Sequence, residues 1–150
     1  MPVLMRQLLQ APLLSRDNLG DIPKQGIYVF YEKGKPLYVG RSRNLRSRIL
    51  NHGRRSSSHF QATFAFLIAM KKAKRPGTKP PRGDPGKKPT RGDWEKHKAF
   101  SRLFAAAKER VAKMRVRVIQ VSDPIEQTLL EVYAADWLGT LGRYNLFETH

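Results

Sequence analysis

The 150-residue chain contains no cysteine. That excludes disulfide frameworks, thiolate zinc sites and cysteine nucleophiles, and it fits a reducing compartment. No run of about 18 apolar residues exists, so no membrane-spanning helix is expected. Met1–Leu14 has Arg6 as its one positive charge and no small-residue cleavage pattern. It reads as mature sequence, with Leu4, Leu8 and Leu9 covering a core. Acidic side chains are scarce: 12 Asp and Glu stand against 29 Lys and Arg, a formal net charge of +17. Such an excess calls for a polyanionic partner, nucleic acid first. An anionic membrane surface fits less well, because no helix sets a clean basic face against a large aromatic one.

What is present suits one domain with one core: 40% of the residues are hydrophobic, and runs such as Ile27–Phe30 and Phe64–Met70 need burial. Gly26–Tyr31 reads as a strand, with Ile27, Val29 and Tyr31 on one face and Tyr28 and Phe30 on the other. A polar turn, Glu32–Pro36, leads to a second strand at Leu37–Val39, giving an antiparallel hairpin that Gly40 ends. Ser42 or Asn44 can cap a helix over Leu45–Asn51, which puts Arg48 and His52 on a shared face. A second helix is expected from Ser58 to Lys74, with Phe60, Phe64, Leu67 and Ile68 as its apolar stripe. Pro76–Asp93 holds five Pro, four Gly and five Lys or Arg in 18 residues and reads as a basic loop insertion. Within it, Lys79–Asp84 and Lys88–Asp93 form an imperfect repeat. A third helix over Trp94–Lys113 and a strand over Arg115–Val121 follow. Asp123-Pro124-Ile125-Glu126 marks a helix start, and that helix runs to about Leu138. The order defines an α+β domain with a small, mostly antiparallel, three-stranded sheet flanked by helices.

One set of residues goes beyond architecture. Gly26-Ile27-Tyr28 is followed by Tyr38-Val39-Gly40, with the tyrosines ten positions apart. Arg48 stands on the helix after the second motif and His52 one turn later. Glu131 lies on the late helix, and a Tyr144-Asn145 pair follows. In this order the elements resemble the GIY-YIG nuclease superfamily, in particular its small stand-alone bacterial members. The resemblance covers about Gly26–His52 and Val116–Asn145. The chain departs from the family in Val39 for a commoner isoleucine, in Arg41 for a frequent lysine, and in the basic insertion.

The resemblance implies a metal-dependent endonuclease that hydrolyses DNA phosphodiester bonds. Tyr28 is the implied general base with Tyr38 orienting water or phosphate, and the two roles can be exchanged. Glu131 is the implied ligand of one Mg²⁺ or Mn²⁺ ion. Arg48 is expected to hold the scissile phosphate, His52 to bind phosphate or shuttle a proton, and Asn145 to orient substrate or support the metal site. Gly40, Arg41, Arg43 and Arg46 are the expected backbone contacts. Elementary chemistry agrees: hydrolysis needs an activated nucleophile and relief of negative charge. A phenol with a pKa of about 10 is a poor base at neutral pH, and Arg41, Arg48 and a cation would favour the phenolate.

Plainer roles exist for the same residues. The tyrosines can be strand aromatics on a hydrophobic face, Arg48 a solvated helix charge and His52 a structural or surface residue. Glu126 competes with Glu131 for the metal but has a capping-box explanation, whereas Glu131 sits among Leu129, Leu130 and Ala134, where a carboxylate needs a partner or an ion. The expected partners are DNA, either single-stranded or structured duplex, and a possible targeting protein, with no membrane. A DNA-processing or repair role in the cytoplasm follows from the resemblance. The alternative is a catalytically inactive module that binds DNA or RNA.

Overall fold

The computed structural model describes residues 2–74 and 86–145. Packing divides the chain into two compact units, residues 1–50 with 113–150 and residues 51–112, where the sequence reads as one domain. The architecture is α+β, as expected, but the sheet has four strands rather than three. Among the described residues no helix is long and apolar enough to cross a membrane.

The first unit is the sheet with its helices. Strands β1 (Leu14–Ser15), β2 (Gly26–Glu32), β3 (Lys35–Ser42) and β4 (Arg115–Gln120) lie in the order β1-β4-β2-β3, and every neighbouring pair is antiparallel. The unanticipated strand is β1, two residues that pair with Val116 and Arg115. So short a strand leaves no alternation to detect. The β2–β3 hairpin turns at Lys33 and Gly34, both with positive φ, which is the two-residue turn that matches strand twist. Its second strand starts earlier and ends later than expected: Pro36 is tolerated because β3 is an edge strand, and pairing continues past Gly40 to Ser42.

One sheet face builds the core. Ile27, Val29, Tyr31, Val39 and Ile119 pack with Met5 and Leu8 of α1 (Pro2–Gln10) and with Leu130, Ala134 and Ala135 of α6 (Pro124–Trp137). The expected covering role of the N-terminal leucines is met by Leu8, buried, and by Leu4 and Leu9, partly buried. The Arg117 guanidinium donates to the carbonyls of Leu9 and Ala11, closing the open end of α1, and lies over the Tyr31 ring at 5.1 Å. On the opposite face the register aligns Tyr28 with Gly40 and Val118, and Phe30 with Tyr38 and Val116. Asn44 caps α2 (Leu45–Gly53), its side-chain oxygen accepting from Ser47 N–H at 3.2 Å.

The second unit holds α3 (Thr63–Ala73), α4 (Arg91–Lys96) and α5 (Lys98–Ala112). Its core is aromatic: Phe66 meets Phe100 and Phe104 at centroid distances of 5.2 and 5.7 Å. Two expected helices differ here. The helix expected from Ser58 begins at Thr63, because residues 58–62 form turns, and Phe60, expected in the apolar stripe, is 76% exposed and stacks on His59. The helix expected over Trp94–Lys113 is two helices. Thr90 and Asp93 make a reciprocal capping box that starts α4 inside the expected loop, so Arg91-Gly92-Asp93 forms a helical turn. His97 is extended and its Nδ1 accepts from Phe100 N–H, which restarts the chain as α5. The first copy of the basic repeat lies outside the described residues. Lys108 is buried with its ammonium donating to the carbonyls of Arg55 and Ser57 at 2.6 and 3.0 Å, and burial pulls its pKa below the usual lysine value.

The closest backbone approach in the sheet is at Gly26. Its φ is +151°, and a Cβ there would stand 1.9 Å from the Ile119 carbonyl oxygen. Gly26→Ala should therefore force β2 away from β4 and cost at least about 2 kcal/mol, read as a drop in the urea midpoint at unchanged slope.

Candidate active site

The Tyr28 side chain organises the site. It is 1% exposed, lying between the edge of Phe30, 5.6 Å away, and Tyr38, 6.4 Å away and tilted by 42°. Its phenol extends across the backbone of Gly40, where a Cβ would come within 2.2 Å of the Tyr28 hydroxyl oxygen. Gly40 is thus small to admit a tyrosine. Gly40, expected as a phosphate contact, thus has a packing role as well, because the phenol fills the space the missing side chain leaves. From α2, Arg48 hydrogen-bonds the Tyr28 phenol.

The carboxylate comes from the other layer. Glu131 on α6 is only 18% exposed at its side chain and faces the Arg41 guanidinium at 3.9 Å. The Arg41 backbone also favours its ionised form. Register places Arg41 opposite Ile27, on the core face of β3, whereas Tyr28 and Tyr38 lie on the other face. The two groups flank the outer strand, and Glu131 is near enough for its charge to act on the Tyr28 phenol. Tyr28, Tyr38 and Arg48 thus meet on one face of β3, and Arg41 and Glu131 on the other.

The protein's own charges do only part of what was expected. Arg41 and Arg48, together with a divalent ion, were expected to ease Tyr28 toward phenolate. Burial instead raises its pKa well above the ordinary phenol value, reinforced by Tyr38 and Glu131, and the opposing pull of Arg48 does not cancel this. Tyr28 is a neutral phenol at physiological pH in this state. Burial also lifts the Glu131 pKa above the usual carboxylate range, against the lowering effect of Arg41.

Other expected site residues have different surroundings. His52 is fully buried in the last turn of α2, so its ring is not displayed to a nucleic-acid backbone. Asn145 is buried, and its side-chain amide accepts from Val39 N–H at 2.8 Å and donates to Val39 C=O at 2.7 Å. It therefore acts as a one-residue strand on the open edge of β3, a positioning role in place of the expected substrate contact. Arg46 donates to the Gly20 carbonyl, while Arg43 is exposed. Glu126 is exposed, and the α6 start is capped by Asp123, which accepts from Ile125 N–H at 3.1 Å. Sequence reasoning did not foresee Arg41 as the partner of Glu131, although the alternation of β3 places residue 41 on the face of Val39.

Among the described residues no group of three or more His, Cys, Asp or Glu could hold a metal ion. The donor chemistry at Glu131 fits a hard divalent ion that keeps most of its waters, with one protein carboxylate beneath it. No family model, no curated protein and no solved structure matches the chain.

Two outcomes follow. Removing the Asn145 amide leaves both peptide groups of Val39 without these partners, so Asn145→Ala should cost about 2–3 kcal/mol in chemical denaturation. For Glu131 the folded-state pKa is raised, so this group's contribution to stability is complete below the ordinary carboxylate range and is lost as pH rises through the raised value. Glu131→Gln should accordingly be more stable than wild type at pH 7. That advantage should shrink toward pH ~4 when urea midpoints are compared.

Proposed function

We propose that this protein is a divalent-metal-dependent endonuclease that hydrolyses DNA phosphodiester bonds in the cytoplasm, in the manner of GIY-YIG enzymes. What supports this reading is a mostly buried Glu131 carboxylate that faces Arg41 on one side of β3, with the Tyr28–Arg48 hydrogen bond on the other side of the same strand. A carboxylate held where its own ionisation is disfavoured serves a site better than it serves a fold. The net charge of +17 supplies the attraction to a polyphosphate.

Each residue then has a task. Glu131 would hold the ion, Mg²⁺ or Mn²⁺, which when bound would neutralise phosphate charge and make water more acidic. Arg48 offers its guanidinium to the scissile phosphate and is aimed by the Tyr28 hydroxyl. Tyr28 stays protonated. Tyr38, the less buried phenol, reacts through its phenolate fraction: having lost its own proton to solvent, it takes one from the attacking water and becomes the neutral phenol, which is the base role first given to Tyr28. Arg43, on the exposed surface, contacts backbone phosphates without selecting sequence. A second reading, a nucleic-acid-binding module without turnover, is favoured by the closure of Tyr28 and the engagement of Glu131 by Arg41.

The test uses labelled single-stranded DNA, duplex DNA and RNA, with Mg²⁺ or with chelator. Metal-dependent cutting of DNA is expected. Glu131→Gln, Arg48→Ala and Tyr38→Phe should each lose about 100-fold or more in rate while binding survives. Mg²⁺ should also raise the melting temperature of wild type and not of Glu131→Gln. Binding with no cutting under any metal would establish the second reading.

A further inference from the structure

Eight large hydrophobic side chains are exposed among the described residues, and five of them stand on the single helix α6. Ile125, Leu129, Tyr133 and Trp137 recur at every fourth position and form one stripe, with Val132 beside it. Ile125 is 69%, Leu129 56% and Trp137 57% exposed. Tyr133 and Trp137 also wall a groove of about 240 Å³ whose other side is Pro2, Met5, Arg6 and Leu9 of α1. Singly scattered apolar side chains need no explanation, but a continuous stripe leading into a groove marks an interaction surface.

Its charge selects the occupant. Helix α6 carries no Lys or Arg, in a chain with 29 of them, and its exposed acids are Glu126 and Asp136, while Glu131 turns to Arg41. Asp123 stands at its start, and the groove adds one cation, Arg6. This face repels phosphate, which argues against nucleic acid and against an anionic membrane. A second copy fits poorly: two α6 stripes packed antiparallel bring Glu126 of one copy beside Asp136 of the other. At physiological salt the screening length is about 8 Å, so these local acids outweigh remote cations for a ligand seated on α6. We infer that α6 and the α1 groove dock an amphipathic helix of another protein, one whose apolar ridge is flanked by Lys and Arg. The inference stands on the surface alone and survives failure of the nuclease reading.

The test uses two synthetic 18-residue helical peptides with the same leucine ridge, one flanked by Lys and one by Glu, and reads Trp137 emission in a Trp94→Phe background. The Lys-flanked peptide should shift that emission saturably to the blue and bind at least tenfold tighter than the Glu-flanked one, despite the positive charge of the whole protein. Leu129→Asp should weaken it at least tenfold. Glu126→Lys with Asp136→Lys should reverse the preference, a result that general loss of structure does not produce. Unchanged emission, equal response to both peptides, or no reversal would overturn the proposal. So would a concentration-dependent dimer in sedimentation that Leu129→Asp abolishes, which would give the face to a second copy.

Discussion

The seating of the Tyr28 ring on the Gly40 backbone is the constraint on which the site depends. The ring needs a strand partner with no Cβ, and the register supplies Gly40 directly opposite. Once seated, the phenol is shut from water, which holds it neutral and gives Arg48 a fixed oxygen to bond. A neutral phenol aimed at a guanidinium is a positioning device. Burial thus sets the two tyrosines apart: the one that anchors is held neutral, and its neighbour Tyr38 is less buried.

An edge strand carrying such a site has to be held from outside as well. On its inner side β3 is secured by the ladder with β2, and on its outer side by the two hydrogen bonds from Asn145 to Val39. Asn145 is delivered there by the turn after α6, where its backbone N–H donates to the Thr140 carbonyl and its carbonyl accepts from Gly142 N–H. The same segment of chain therefore places Glu131 beside Arg41 and closes the edge beside Val39. Slack in either contact would be felt by the other, because both act on neighbouring residues of one strand.

The parts of this arrangement that were legible in the sequence are those with strong local periods. The alternation of Ile27, Val29 and Tyr31 against Tyr28 and Phe30 defines both faces of β2, and the Asp123-Pro124 start defines α6. Spacing around the two tyrosines also singled out side chains that lie together, Tyr28 beside Tyr38 and bonded by Arg48. What was not legible depends on three-dimensional neighbours. Nothing in the string announces that His97 would accept from Phe100 N–H and divide a helix, or that Phe60 would stack on His59 in the open. The reason for Gly40 and the sign of the Tyr28 shift are likewise facts about packing. Composition suggested that cations would favour the phenolate, and desolvation prevailed because a fully buried group loses the whole of its hydration while only one arginine reaches it.

Helix α6 gathers these threads because its faces answer to different demands. Leu130, Ala134 and Ala135 seal the core, and small residues there let the helix lie close on β2 and β3. Glu131, on the flank, meets Arg41. The remaining face carries Ile125, Leu129 and Trp137 into solvent with acids around them. A basic protein gains nothing for DNA binding from an acidic, apolar helix, and the core requires only the opposite face. The outward side is therefore explained by neither the fold nor the attraction to polyphosphate. Its composition makes physical sense if nucleic acid is met on the basic surface while a protein is met on α6. Because Glu131 and the stripe share one rigid helix, a partner seated on the stripe would also bear on the position of the site carboxylate.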